Sequence, residues 1–150
     1  MEKQSLNQEL CNVALCCIAK LENEYIREYI EYYLDLGVDK IIIYDNNDTN
    51  GETFNDVIQD YIDKGVVDII DYKDRKICQL SAYQDCYKNY RDNFDWIMFF
   101  DCDEFLKLEK HKNIKDYLSD PKFNDFEIIH INWLIYDDNN LVTKTSGTVN

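Results

Sequence analysis

Apolar residues along the chain follow two patterns that alternate from one segment to the next. Continuous apolar runs of strand length are separated by stretches in which apolar residues recur every three or four positions, as on one face of a helix. The predicted strands are Cys11–Ala19, Lys40–Asp45, Val66–Tyr72, Asp95–Phe100 and Phe126–Tyr136. The predicted helices lie within Glu22–Gly37, Thr53–Gly65, Ile77–Tyr90 and Asn113–Leu118.

This order of elements predicts the fold class. Strands that are apolar throughout are typical of a parallel sheet buried on both faces, and the helices between them supply the right-handed crossovers that join parallel strands. The chain has only 4 glycines and 1 proline, and no segment of it is typical of an interdomain linker. We therefore predict one doubly wound α/β domain over residues 1–150, with a mostly parallel sheet and helices on both faces.

The helical spacing also predicts which side chains face the sheet. The first helix should pack through Ile26, Ile30, Tyr33 and Leu34. The third helix should pack through Ile77, Leu80, Tyr83 and Tyr87. The tyrosines of the first helix are interpreted as packing residues rather than as a platform for a sugar.

The amino-acid composition limits the functions that this chain can have. The 30 acidic and 16 basic residues give a net charge of −14, which repels nucleic acid and would require a cation to accompany any anionic ligand. The 6 cysteines form no CxxC pair, so we expect free thiols in a reducing cytoplasm rather than a zinc site. The polar start and the short apolar run Leu10–Ala19 predict neither a signal peptide nor a membrane span.

Candidate chemistry lies where the predicted strands end. In an open parallel sheet, ligands bind at the carboxyl ends of the strands, near the point where the strand order reverses. The polar residues at these ends include Lys20 and Glu22, Asp45 and Asn47, Lys73 and Arg75, and Asp101, Asp103 and Glu104. Their convergence predicts a binding site along this edge of the sheet.

The sequence FFDCDEF contains the strongest single candidate. Asp101 and Asp103 follow an apolar strand, and carboxylates are hard ligands that suit Mg²⁺ or Mn²⁺. In an extended segment both aspartates would lie on one side, with Cys102 facing the core. An Asp-x-Asp pattern by itself is more often a solvated turn, but its position directly after a buried strand favours a metal site.

Asp45 permits two interpretations. An acid at a strand end can hydrogen-bond a nucleotide base or ribose, and the following DNNDTNG sequence equally favours a turn in which Asp45 caps its own backbone. Three well-known nucleotide or hydrolase motifs are absent from the sequence, namely GxGxxG, GxxxxGK[ST] and GxSxG. A nicotinamide-binding domain, a P-loop protein and an α/β-hydrolase are therefore disfavoured.

Four segments in order resemble a known group of enzymes. They are ALCCIAKLENEYIREYIEYYLDLGVDKIIIYDNNDTNG, QLSAYQDCYKNY, FDWIMFFDCDEFL and INWLIYDDNNLV. Together they resemble the GT-A glycosyltransferases, in the family 2-like group related to glycosyltransferase family 92. The resemblance implies a Rossmann-like GT-A fold and metal-dependent transfer of a sugar from a nucleotide-sugar donor, usually a UDP-sugar, to a glycan or lipid-linked acceptor.

The resemblance also implies roles for individual residues. It places the nucleotide-sugar-binding site at Ala19, Lys20, Glu22, Asp45, Asn47, Gln79 and Asp101. It assigns Asp101 and Asp103 to a Mn²⁺ or Mg²⁺ ion beside the diphosphate, where the metal would offset charge on the departing UDP. A cytoplasmic enzyme that associates peripherally with the inner membrane face, and that builds cell-surface polysaccharide, is expected on the same ground.

The acceptor-binding part of such enzymes follows the segments matched here. We therefore expect a chain truncated after the donor-binding half, with the general base beyond residue 150. Two alternatives stay open: a non-catalytic fragment that binds nucleotide sugar, and a phosphotransferase of the haloacid dehalogenase type. The second also uses an Asp-x-Asp pattern, but normally after its first strand, whereas here it follows the fourth.

Overall fold

A computed structural model describes residues 11–135 of the chain. Its sheet contains strands β1 (Val13–Ala19), β2 (Lys40–Asp45), β3 (Val67–Asp71) and β4 (Trp96–Phe99). The strands lie in the order β3-β2-β1-β4, and every neighbouring pair is parallel. The predicted α/β fold class is confirmed, and the order reverses between β1 and β4, because the chain moves outward from β1 in both directions.

The helices follow the predicted segments closely. They are α1 (Ile26–Asp35), α2 (Asn55–Asp63), α3 (Gln79–Tyr90) and α4 (Ile114–Leu118), with a short 3₁₀ helix at Pro121–Phe123. Within residues 11–135, no helix is long and apolar enough to cross a membrane. The largest difference in length is at the start of α1, which begins four residues after Glu22 because residues 22–25 form a turn.

Side chains alternate along β1 between two cores. Val13, Leu15 and Cys17 face the core formed with α1 and α2, while Ala14 and Cys16 face the core formed with α3. All five are fully buried, as expected for the central strand of a sheet covered by helices on both sides. The predicted inner face of α1 is confirmed for Ile26, Ile30 and Tyr33, which are buried in the first core.

The predicted inner face of α3 is wrong for three of its four residues, whereas Tyr83, the fourth, is partly buried and packs against the second core as predicted. Ile77, Leu80 and Tyr87 are exposed, and the residues buried against the sheet are Ala82 and Cys86. The facing positions on β1 are also small, so the helix approaches the sheet through small side chains and carries its larger apolar residues outward. Both sets fit helical spacing of three or four residues, since Ala82 and Cys86 lie four positions apart, and spacing alone therefore did not separate them.

The predicted fifth strand is also wrong over its described part. Residues 126–135 form no strand, and most of their apolar side chains are exposed, up to 83% for Ile135. Ile129 is half-buried against the first core. Tyr136, the last residue of the prediction, lies outside the described residues. This run pairs with no strand of the described sheet, although β3 and β4 each have only one strand neighbour in it, so strand-like composition alone does not make a strand.

Candidate functional site at the carboxyl edge of the sheet

An open cleft of about 480 Å³ lies at the carboxyl ends of the central strands. It is lined by Ile18, Ala19, Lys20, Asn46, Ile77, Cys78, Gln79 and Leu80. These residues come from the end of β1, the end of β2 and the first turn of α3. The cleft therefore lies beside the reversal of strand order, where ligands bind in open α/β sheets.

The loop after β1 brings a cation to this cleft. Lys20 is exposed there, and its ammonium group lies 2.7 Å from the carboxylate of Asp48. The next residue, Leu21, has a left-handed backbone with φ of 61°, and its N–H donates to the Asn47 side chain at 2.8 Å. A non-glycine residue adopts this conformation only where surrounding contacts fix it, and the Asn47 amide provides such a contact.

Asp45 is buried and takes part in the turn that follows β2. Its Oδ1 accepts a hydrogen bond from the backbone N–H of Asn47 at 3.0 Å, and its Oδ2 lies 3.6 Å from the Lys73 ammonium group. The structure thus contains the Asx-type turn that was one of the two interpretations of Asp45. A contact between Asp45 and a nucleotide stays a prediction.

Asn47 is fully buried and fixes two loops at once. Its side-chain oxygen accepts from Leu21, and its backbone oxygen accepts from the N–H of Asp74 at 3.2 Å. Its side-chain nitrogen has no hydrogen-bond partner among the described residues. The neighbouring Asn46 anchors the loop after β3 in the same way, donating to the carbonyl oxygens of Tyr72 and Arg75.

Asp101 follows the end of β4 and is oriented by α3. Its Oδ1 accepts hydrogen bonds from Gln79 at 2.8 Å and from the Tyr83 hydroxyl at 3.0 Å. Burial, together with the nearby Asp101 charge, raises the pKa of Tyr83, so this residue stays a neutral donor. Gln79, predicted to contact the donor, therefore connects the cleft to the aspartate.

The Asp101–Glu104 segment forms a turn rather than an extended strand. The N–H of Glu104 donates to the carbonyl oxygen of Asp101 at 3.0 Å, and the N–H of Asp101 donates to the Glu104 carboxylate at 3.0 Å. Cys102 is buried, as predicted, and Asp103 is exposed. The prediction that the two aspartates lie in an extended segment is therefore wrong, because the two hydrogen bonds between Asp101 and Glu104 fold the backbone into a turn.

Asp103 lies near the acids of two other loops. Burial raises the pKa of Glu22, and the charges of Asp103 and Glu52 raise it further. The oxygen donors Glu22, Asp101 and Asp103 have the chemistry that Mg²⁺ and Mn²⁺ prefer, and the accumulated negative charge would be relieved by a cation. Within residues 11–135, however, no group of three or more His, Cys, Asp or Glu side chains is close enough to hold an ion by itself.

These contacts divide the predicted residues into three groups. Ala19, Lys20 and Gln79 line the cleft, and Asp101 joins it through Gln79. Asp45 and Asn47 are buried in the turn after β2. Glu22 and Asp103 are electrostatic neighbours beside α1.

Sequence reasoning missed two sets of supporting residues. Tyr83 was predicted as a packing residue, and its hydroxyl bond to Asp101 was not foreseen. The tyrosines of α1 are indeed packing residues, but their hydroxyls also bind the backbone around the Asp101–Glu104 turn. Their spacing at positions 29, 32 and 33 was visible in the sequence, whereas their backbone partners, some 70 residues away, were not.

Comparisons with known proteins agree on one family. Residues 14–146 match the family model of glycosyltransferase family 92. A glycosyltransferase family 92 protein of Ricinus communis is 27% identical over 116 residues, covering 72% of this chain and 19% of the relative. One from Arabidopsis thaliana is 28% identical over 118 residues, covering 75% and 19%, and one from Oryza sativa subsp. japonica is 25% identical over 108 residues, covering 71% and 18%.

The chain spans about a fifth of the length of these curated relatives. No solved structure matches it significantly.

Proposed function

The chain belongs to glycosyltransferase family 92, and from this premise we propose that it forms the nucleotide-sugar-binding part of an enzyme that transfers a sugar. The donor proposed is a UDP-sugar, and the acceptor is a glycan or a lipid-linked glycan. The observation that carries the proposal is the cleft between β1 and α3, which Gln79 links to Asp101. Ligands of open α/β sheets bind at this position.

The residues around the cleft offer complementary chemistry to a nucleoside diphosphate. Lys20 presents its ammonium group at the cleft, where it is paired with Asp48, and the first turn of α3 contributes backbone N–H groups without a side-chain cap. Such helix ends favour anions. The exposed side chains of Ile77 and Leu80 provide apolar surface at the same cleft for a flat base or a sugar ring.

Asp101 and Asp103 are the proposed ligands of a divalent ion, Mn²⁺ or Mg²⁺. Asp101 keeps its Oδ1 engaged with Gln79 and Tyr83, so the proposed ligand atom is Oδ2. When bound, the ion would offset the charge that develops on the leaving diphosphate. Two carboxylates are enough for such an ion, because Mg²⁺ sites commonly use one or two protein carboxylates and complete their coordination with phosphates of the substrate.

We propose a cytoplasmic location, with peripheral contact to the inner membrane face and a role in making cell-surface polysaccharide. The six free cysteines support a reducing compartment, since five of them are buried without forming disulfides.

Calorimetric titration with UDP, with and without Mn²⁺, tests the proposed function. We expect the wild-type chain to bind UDP in a Mn²⁺-dependent manner and Asp103→Ala to lose roughly tenfold or more of that Mn²⁺-dependent affinity. Asp103 is exposed, so its replacement should leave the fold intact.

Asp92→Ala is the matched control, because Asp92 is also an exposed aspartate but lies just after α3, at the end of that helix away from the cleft. Its binding should equal that of the wild type. Binding of UDP that ignores Mn²⁺, or equal binding by Asp103→Ala, would contradict the metal-dependent mechanism.

A further inference from the structure

Three tyrosines of α1 hold the backbone on either side of the Asp101–Glu104 turn. Tyr29 donates to the carbonyl oxygen of Phe100 at 3.2 Å, and Tyr32 donates to that of Leu106 at 2.7 Å. Tyr33 donates to the carbonyl oxygen of Glu104 at 2.8 Å and accepts from the N–H of Leu106 at 3.0 Å. The tyrosines lie at positions i, i+3 and i+4, which places them on one face of the helix.

The rings of the same tyrosines also enclose a side chain of the contacted segment, Phe100–Leu106. Phe105 lies 5.0 Å from the Tyr32 ring and 6.0 Å from the Tyr29 ring, both edge-on, and stacks on Tyr33 at 6.4 Å. Tyr29 and Tyr33 are fully buried, so their hydroxyls cannot turn to water for partners. The segment is therefore fixed by rings and by hydroxyls together.

These contacts matter because the segment lacks regular hydrogen bonding of its own. Residues 100–113 contain neither helix nor strand. The turn also carries three acids, Asp101, Asp103 and Glu104, and Asp103 acts electrostatically on the carboxylate of Glu22. Like charges in one loop favour conformations in which they separate, and the hydroxyls of α1 oppose that separation by holding the backbone.

We propose that Tyr33 is a positioning residue that sets the Asp101–Glu104 turn in the conformation that binds the divalent ion and the diphosphate. Tyr33 is central because its one hydroxyl joins the carbonyl of Glu104 to the N–H of Leu106 and so bridges the end of the turn. The Tyr32 hydroxyl forms only one bond to the same segment, to the carbonyl oxygen of Leu106. This inference rests on the proposed function, and Tyr33 itself touches neither ion nor nucleotide.

Tyr33→Phe tests the inference, because it removes the hydroxyl and keeps the ring that stacks on Phe105. We expect the Mn²⁺-dependent gain in UDP affinity to fall roughly tenfold, as for other residues that orient metal ligands, while UDP affinity measured in EDTA stays unchanged. Hydrogen exchange of the Leu106 amide should accelerate, because that N–H loses its acceptor.

Tyr90→Phe is the matched control. Tyr90 is a partly buried tyrosine that donates to Asp68 at 3.2 Å near the amino end of β3, away from the cleft. The Tyr90→Phe variant loses a hydroxyl and should be somewhat less stable, but its UDP affinity and the hydrogen exchange of its Leu106 amide should equal those of the wild type. Tyr32→Phe, which loses a single bond at a half-buried position, provides a second variant with a smaller expected loss if Tyr33→Phe fails to fold.

The outcomes separate the inference from the function on which it rests. The positioning role of Tyr33 alone would be overturned if the wild type binds UDP in a Mn²⁺-dependent manner and a folded Tyr33→Phe variant binds it equally well. An unchanged Leu106 exchange rate in Tyr33→Phe would do the same. A wild-type chain that shows no Mn²⁺-dependent binding would overturn both the proposed function and this inference.

Discussion

At the scale of single residues, the strand-end acids differ in what surrounds them. Asp45 is buried, accepts from the N–H of Asn47 in its own turn and forms an ion pair with Lys73, whereas Asp101 is oriented by neutral donors of α3. The sequence predicted that both lie at strand ends, because apolar runs lead directly into them. It could not predict their different partners, since Lys73, Gln79 and Tyr83 reach them from other elements of the fold.

Tyr83→Phe tests the orientation of Asp101 directly. One of two donors to Oδ1 is lost while Gln79 keeps the other, so we expect a loss of about threefold to tenfold in Mn²⁺-dependent UDP affinity. Stability should fall by about 0.5–1.5 kcal/mol, the usual net worth of one hydrogen bond. Calorimetric titration and urea unfolding measure the two effects.

Tyr87→Phe is the control on the same helix, because Tyr87 is exposed one turn further along and has no hydrogen bond to Asp101 among the described residues. Equal affinities of the Tyr83 and Tyr87 variants would contradict a role for the Tyr83 hydroxyl in orienting Asp101.

At the scale of elements, hydrophobic spacing predicted which segments are helices and strands better than how they face each other. The helical segments and the first four strands are confirmed to within a few residues at their ends. The inner face of α3 was wrong for three of its four residues, because the helix meets the small residues of the central strand β1 through its own small residues Ala82 and Cys86. Such a choice depends on the facing surface, which spacing along one segment does not contain.

The connection between α1 and β2 depends on a glycine. Gly37 has φ of 100°, and a Cβ added there would clash with the side chain of Asn113, which caps α4 by accepting from the N–H of Lys115. Gly37→Ala should therefore destabilise the fold by about 1–3 kcal/mol through backbone strain, and further by disturbing the α4 cap. Urea unfolding followed by circular dichroism measures the loss.

Gly65→Ala separates the two causes. Gly65 has φ of 73°, and nothing lies within 4 Å of an added Cβ, so only the backbone strain of about 1–2 kcal/mol applies. A loss in Gly37→Ala no larger than in Gly65→Ala would show that Asn113 moves aside without cost.

At the scale of the whole molecule, buried hydroxyls join the two cores to the loops around them. Burial raises the pKa of Tyr29, Tyr33 and Tyr44, and it raises the pKa of Tyr90 to about 12 with a further contribution from Asp68. The sequence indicated a tyrosine-rich core, but the acids and carbonyls that these hydroxyls contact come from distant segments.

These shifts predict a loss of stability at alkaline pH. The folded pKa values lie above the unfolded value of about 10, so the contribution is complete below pH 10 and is lost as pH rises through the folded values. We expect the free energy of unfolding in urea to fall steadily between about pH 10 and 12. Tyrosinate absorbance at 295 nm should rise in two phases, exposed residues first.

The buried thiols also lower the stability at alkaline pH, beginning at a lower pH than the tyrosines. A contact with Cys86, together with burial, raises the pKa of Cys16, and a contact with Cys17, together with burial, raises the pKa of Cys102. Thiolate absorbance at 240 nm separates the contribution of the thiols to this loss of stability from that of the tyrosines. A single tyrosinate phase near pH 10 in a protein that is still folded would contradict the assignment of the buried tyrosines.

The place of β1 in the centre of the sheet also bears on the order in which the protein folds. Ala14 pairs with Lys40 and also with Ile97, so one neighbour of β1 is close in the sequence and the other is distant. Closing a long loop costs more chain entropy than closing a short one, so pairing with β2 should precede pairing with β4. Asp101 lies two residues after the end of β4, and the acidic turn would therefore be assembled late in folding. A ligand bound to that turn would therefore slow unfolding more than it speeds folding.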